Sequence, residues 1–247
     1  MRRIRFTIAY DGTAYNGWQV QPGLPTVQAA LEAAFADIEK SPVHVAGSGR
    51  TDAGVHALAQ VAAVSISNPI PPPNLKKALN RLLPYDIRVT CVEETHESFH
   101  PRYDAVSKTY EYRIWRGEVC SPFDRRYVHH HPYPMSDEAF IETAPLFEGE
   151  HDFSAFAASD DRDTLGRSKV RRIFSSVASR TGDLLVYRVT GSGFLKHMVR
   201  NIVGTLLEAG KGNAPPDRID WLLSAPAGVR ANPTAPAQGL FLIEVRY

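Results

Sequence analysis

Cysteine is nearly absent from this chain of 247 residues. Cys91 and Cys120, the only two, share no metal-ligand spacing, which argues against a disulfide framework or a cysteine metal site and suits a reducing compartment. Long apolar runs are missing as well. The stretch GLFLIEV at 239–245 is too short to span a bilayer, and the opening MRRIRFTIAY alternates like a strand where a secretion signal would carry an unbroken apolar core. Neither sign of charge dominates: 28 Lys and Arg stand against 27 Asp and Glu, a formal net charge of +1, so the bulk balance points to no nucleic-acid partner. The expectation is a soluble, cytoplasmic, globular protein with no membrane association. Its 43% apolar content fills one large domain or two of moderate size.

The distribution of charge says more than its sum. Basic density gathers in MRRIR at the start, in DRR at 124–126 and in GRSKVRR at 166–172, while acidic residues gather in EETHE and EGEHD. A neutral total is compatible with one basic face, and equally with ordinary solvated charges.

Hydrophobic periodicity orders the chain. Residues 3–10 alternate as a strand, turn residues follow in DGTAYNGW, and Thr26 caps a helix whose apolar face is Val27, Ala30, Leu31, Ala34, Phe35 and Ile38. PVHVA and AQVAAVSIS read as strands flanking a glycine-rich loop, then NLKKALNRLL as a helix and DIRVTCVEE as a strand. The second half repeats the order: SKTYEYRIW, a helix in SDEAFIETAPLF capped by Ser136, the strand pair SKVRRIFSSVAS and LLVYRVTG, a long helix FLKHMVRNIVGTLLEAG closed by Gly210, and LFLIEVRY. Two β-α-β-β-α-β units imply an α+β protein of two ferredoxin-like, RRM-like halves with antiparallel sheets, 1–103 and 104–247. Loop-like inserts fall at 117–135 and 149–167, the second polar and expected to be mobile.

The loop AGSGRTDAGVHALAQ, 46–60, carries the densest chemistry. Gly47, Gly49 and Gly54 do not have the spacing of a dinucleotide fingerprint, and no lysine followed by Ser or Thr sits where a P-loop needs one, so a nucleotide cofactor is not expected. Two readings remain: a glycine hairpin whose Asp52 caps a turn, or a catalytic loop in which Arg50, Thr51 and Asp52 supply a cation, a hydroxyl and a carboxylate. An ionised aspartate in a partly dry cleft calls for a cationic partner. Arg50 or Arg200 meets that need, and Lys196 and Arg200 stand four apart as though on one helical face. His56 is a candidate base that reads more readily as a packed structural residue. Three consecutive histidines, 129–131, point in different directions on an extended chain and have no cysteine or carboxylate at ligand spacing, so no metal is expected.

Five motifs, in order, resemble the tRNA pseudouridine synthase A family: YDGTAYNGWQVQP, GSGRTDAGVHALAQV, FHPRYDAVSKTYEYRI, GSGFLKHMVRNIVGTLLEAG and APAQGLFLIEV. Ser48, Pro101 and the alanine of APAQGL depart from the family pattern without touching the aspartate. The resemblance implies a cofactor-independent isomerase that cleaves the N1 glycosidic bond of a uridine, turns the base and rejoins it through C5. It gives Asp52 as the essential carboxylate, nucleophile or base, with Arg200 its ion-pair partner across a cleft between the halves. It gives Tyr110 as the stacking platform for the flipped uridine and Arg50 as a contact beside that nucleotide. The implied substrate is the tRNA anticodon stem-loop at positions 38, 39 and 40, bound by a homodimer, with backbone phosphates meeting Arg125, Arg126, Lys169 and Arg171. The competing reading is a non-catalytic RRM-like RNA-binding protein, for which YRVTG and YEYRI supply only part of the aromatic signature.

Overall fold

The computed structural model describes residues 1–159, 168–225, 228–231 and 233–247. They form two compact units, Met1–Val106 with Phe241–Tyr247, and Ser107–Leu240. Both are α+β with mainly antiparallel sheets, and the described residues contain five α-helices.

In the first unit β1 (Arg2–Tyr10) alternates so that Ile4, Phe6, Ile8 and Tyr10 point inward. It runs antiparallel to β3 (His56–Ile66) on one side and β4 (Ile87–Thr95) on the other. The helix α1 (Val27–Glu39) begins where Thr26 accepts a hydrogen bond from the Ala29 N–H at 3.3 Å, and it buries Val27, Leu31, Ala34 and Phe35. Phe35 meets Phe6 at 5.2 Å, a contact that joins helix to sheet. Ala30 and Ile38, expected on this buried face, are only half-buried. The helix α2 (Pro72–Leu82) starts two residues earlier than its expected Asn74, because Pro72 and Pro73 suit the first turn, where no amide donor is needed.

Of the strand expected in PVHVA only Ala46 joins the ladder, within β2 (Ala46–Gly47), whose two residues lie opposite Ala63 and Ala62 of β3. Val45 gives its N–H instead to the Glu32 side chain at 3.0 Å. The unit boundary falls after Val106, not after 103, and the last strand groups with the first half of the chain. β10 (Leu240–Arg246) lies parallel to β3, with Phe241 opposite His56 and Leu242 opposite Ala57. Val106 donates to the Arg246 carbonyl at 2.8 Å and the Tyr247 hydroxyl to Pro101 O at 2.7 Å, so the chain end is tied down locally.

The second unit has the sheet order β5 (Ser107–Trp115), β9 (Leu184–Gly191), β8 (Val170–Thr181), β7 (Gly149–Asp152), all antiparallel. β7 and the short β6 (His129–His130), parallel to β5, arise inside the two inserts read as loops. Residues 160–167, the second part of the insert expected to be mobile, lie outside the described residues. Ser136 caps α3 (Asp137–Thr143) as expected, accepting from Ala139 N–H at 3.0 Å, and Pro145 ends it in a 3-10 turn. Two further helices follow, α4 (Met198–Gly210) and the unanticipated α5 (Pro216–Leu223). Phe140, Phe147, Phe153, Phe156, Tyr112 and Tyr187 fill this core, each side chain worth about 1.5–3 kcal/mol on burial. Ser176 donates to Ala144 O at 2.6 Å and therefore accepts from the buried Tyr187 hydroxyl at 2.8 Å.

His129 lies beside this core. Burial, then the neighbouring charges of His131, His130 and Lys211, push it down to about 4. The unfolded chain takes up this proton near pH 6.5 and the folded chain only near 4, so stability falls as the pH drops through that window and levels off below it. We expect denaturant midpoints to decrease from pH 7 to pH 4.5, with at most about 3 kcal/mol traceable to this group. The decrease should shrink in His129→Gln; an identical pH profile in that variant would exclude the assignment.

Candidate active site

The candidate residues of the first unit lie on the loop between β2 and β3, and the loop is shaped by the segment 10–18. Trp18 donates its N–H to Thr51 O at 3.1 Å, and Gly54 donates to Tyr15 O at 3.3 Å. The Tyr10 hydroxyl meets Thr51 Oγ1 at 2.8 Å in a buried contact, and burial raises that hydroxyl well above its ordinary range, which keeps it neutral. Two glycines make the approach possible. A Cβ on Gly17, whose φ is +84°, would stand 2.4 Å from Thr51 O, and one on Gly47 would stand 2.5 Å from the Trp18 ring.

The other side of the loop is equally constrained. Ser48 donates its N–H to Val61 O at 2.8 Å and its hydroxyl to Gln60 Oε1 at 2.5 Å, while Gln60 Nε2 donates to Gly49 O at 2.9 Å. Val55 N–H returns to Asp52 O at 3.1 Å and closes the turn behind the carboxylate. Asp52 is half-buried and Arg50 exposed on this frame. The backbone on each side of Asp52 is therefore held by hydrogen bonds, which limits where its carboxylate can point. His56 is packed into the unit: it is 1% exposed, accepts the Gly12 N–H at Nδ1 at 3.0 Å, has the Asp11 carboxylate 3.2 Å from that nitrogen, and stacks on Phe241 at 4.7 Å.

Tyr110 and Arg200 belong to the second unit. Tyr110 shares a face of β5 with Tyr112, and its ring meets Phe194 edge-on at 5.0 Å with 7% of its surface exposed. Glu111, on the opposite face, is ion-paired with Arg113 at 2.9 Å and Arg188 at 2.6 Å. Arg200, half-buried on α4, donates from Nε to Ala235 O at 2.7 Å, and Ala235 N–H returns to Arg200 O at 3.0 Å. The Tyr112 hydroxyl donates to the neighbouring Pro236 O at 2.8 Å. Burial pushes that hydroxyl up and the Arg200 charge acts against it, so the two groups are close enough to interact. Three of the sequence motifs, around 110, around 200 and at 235–240, thus meet in one node.

Lys196 is not on the face of α4 with Arg200. His197 takes a left-handed conformation at φ +62° and the helix begins after it, so Lys196 sits in the preceding turn and bonds to Ser159 O at 3.3 Å. Lys169 and Arg171, expected in a basic loop, straddle the start of β8, where Arg171 donates to Ser168 O at 2.9 Å. Arg125 and Arg126 are exposed in the turn at 121–127. Among the described residues no group of three or more His, Cys, Asp or Glu is placed to hold a metal, and no helix is long and apolar enough to cross a membrane. Tyr10, Tyr15, Trp18 and Gln60 were not singled out from sequence; the signal was the glycine and aromatic content of DGTAYNGW, richer than a simple turn requires.

A model of the family described as tRNA pseudouridine synthase matches residues 7–104 and 143–247. The matched residues include Arg50, Asp52, Lys169, Arg171 and Arg200, and leave out Tyr110, Arg125 and Arg126. A protein of Solibacter usitatus named tRNA pseudouridine synthase A is 64% identical over 247 residues, covering all of both chains. Proteins with the same name from Limosilactobacillus fermentum and Bacillus pumilus are 45% and 43% identical, the first covering 100% of this chain and 96% of its own, the second 99% of each. The chain is therefore that of an enzyme, an isomerase acting on tRNA. The chain belongs to the tRNA pseudouridine synthase family.

The glycine contacts have a direct test. Gly17→Ala should destabilise the protein by about 1–3 kcal/mol and reduce activity further, because the alanine displaces Thr51 O beside Asp52. Gly23→Ala, also at positive φ (+74°) but with no heavy atom within 4 Å of its Cβ, should cost stability alone. Denaturant melts and initial rates on the two variants check this, and equal losses of activity would show that the close approach is unimportant.

Proposed function

We propose that this enzyme converts uridines 38, 39 and 40 of the tRNA anticodon stem-loop to pseudouridine, with Asp52 as the carboxylate that acts on the ribose or base. The N1–C1′ bond breaks, the uracil turns in the site, a C5–C1′ bond forms, the C5 proton leaves and N1 takes up a proton. Asp52 serves as nucleophile or base, Arg200 as its ion-pair partner, Tyr110 as the platform under the flipped base and Arg50 as a contact to the adjacent nucleotide. Arg125, Arg126, Lys169 and Arg171 neutralise phosphates elsewhere on the RNA. The enzyme works in the cytoplasm as a homodimer.

The observation that carries this reading is the clamped Asp52 loop, a half-buried carboxylate beside an exposed arginine on a backbone fixed from both sides. Each half is proposed to be ferredoxin-like. The antiparallel neighbours β4, β1, β3 and β2 support this in the first unit, and β5, β9 and β8 with α3 and α4 support it in the second.

Tritium at C5 of the uracils in an unmodified tRNA transcript reports the reaction, since the new bond expels it. The parent protein should release the label, and Asp52→Asn should reduce release by about a hundredfold or more while still binding tRNA. Full release by Asp52→Ala would overturn the assignment. Arg200→Met should lower release strongly and Arg200→Lys recover part of it; an active Arg200→Met would count against the pairing.

For the platform, Tyr110→Phe should keep binding and turnover within about twofold, and Tyr110→Ala should cost about 1–3 kcal/mol of stacking. Equal, mild effects from both would mean that Tyr110 only packs against Phe194.

A further inference from the structure

The insert between β5 and α3 contains large apolar side chains that the fold leaves in solvent. Phe123 is 87% exposed, Val119 77% and Tyr133 66%. Single exposed apolar residues are ordinary on a protein surface. Phe123 differs in two respects, its support and its neighbours.

Its support is a hydrogen-bonded turn. Asp124 and Arg125 both donate N–H to Ser121 O, at 3.1 and 3.0 Å, Phe123 N–H donates to Ser121 Oγ at 3.2 Å, and Tyr127 N–H to Asp124 O at 2.8 Å. The segment is also anchored to the sheet at both ends. Trp115 Nε1 donates to Val119 O at 2.9 Å, His130 Nε2 reaches Gly117 O at 3.0 Å, and β6 pairs with β5 directly after the turn. An aromatic ring held outward on such a frame loses little conformational freedom when a ligand covers it. Its neighbours are Arg125 and Arg126, both exposed, two and three residues further on. An exposed ring with adjacent guanidinium groups matches nucleic acid, because a base supplies a π-face and the phosphates beside it supply negative charge.

We propose that the 121–127 turn is an RNA-docking platform on which Phe123 stacks against an unpaired base while Arg125 and Arg126 meet the phosphates that flank it. The inference rests on the reading of this enzyme as one that binds tRNA through these arginines, and adds to it a stacking residue that makes the contact selective for unpaired RNA. A guanidinium contact alone does not distinguish a duplex from a loop; a base can cover Phe123 only where it is free of its stack.

Equilibrium binding separates the two contributions, measured on the Asp52→Asn background so that the RNA is not converted. The ligands are unmodified tRNA transcript and a blunt RNA duplex. Phe123→Ala should weaken tRNA binding roughly 5- to 150-fold, leave duplex binding and the salt dependence unchanged, and be restored by Phe123→Trp. Arg125→Ala should weaken both ligands and lower the slope of log affinity against log salt by about 1. Binding of tRNA by Phe123→Ala within twofold of its parent, or an equal loss on duplex, overturns the proposal. A fall in sedimentation mass in Phe123→Ala also overturns it, since the surface then joins two copies of the chain. Tritium release by the protein with Asp52 intact is scored separately: if it fails, the proposed reaction fails, whereas the binding pattern above tests only the platform.

Discussion

The close passage of the segment 10–18 against the Asp52 loop is the contact on which the shape of that loop depends. A carboxylate on an unsupported surface hairpin samples many directions. In this protein the restriction is made by backbone. Thr51 O takes the Trp18 N–H, Gly54 N–H goes to Tyr15 O, and the indole of Trp18 covers Gly47. Buried neutral groups, the Tyr10 hydroxyl and the Ser48–Gln60 pair, satisfy what remains. The backbone that carries Asp52 is thus held in place by groups that carry no formal charge.

The second unit solves a related problem by a different route. Arg200 is the first-turn cation of a helix that is buried along most of its length, and its Nε is occupied by Ala235 O. The segment that accepts it also accepts the Tyr112 hydroxyl at Pro236, so a strand, a helix and a coil segment far apart in sequence orient one guanidinium. Asn201, the next residue, reinforces the arrangement by donating to Phe156 O at 2.6 Å and accepting from Thr234 Oγ1 at 2.6 Å.

Much of the fold was legible because it is local. Thr26 and Ser136 announce their helices through a cap, and β5 falls on the residues whose alternation predicts it, whereas α3 stops before Pro145, inside the stretch read as helical to Phe147. Misreadings occurred where a distant group outcompeted the local pattern. Val45 exchanged a ladder partner for Glu32, the inserts folded into β6 and β7 by edge pairing, and His197 turned left-handed and cut Lys196 from the helix of Arg200. For the site, the Arg50–Asp52 stretch stood out by its chemistry and the resemblance singled out Asp52 from it, whereas Tyr10, Trp18 and Gln60 look like ordinary core or turn residues until the loop is seen against them.

By itself, then, the sequence determined most of the helices and long strands and the family, because caps, alternation and contiguous motifs are properties of neighbours along the chain. Tertiary structure alone decided that the final strand lies beside His56 and Ala57, that three separate motifs meet around Arg200, and that DGTAYNGW is a clamp and not a connector. These are contacts between residues tens of positions apart, some formed only where glycine lets two backbones approach and where a buried donor must find its acceptor. Periodicity carries no record of which partner that will be.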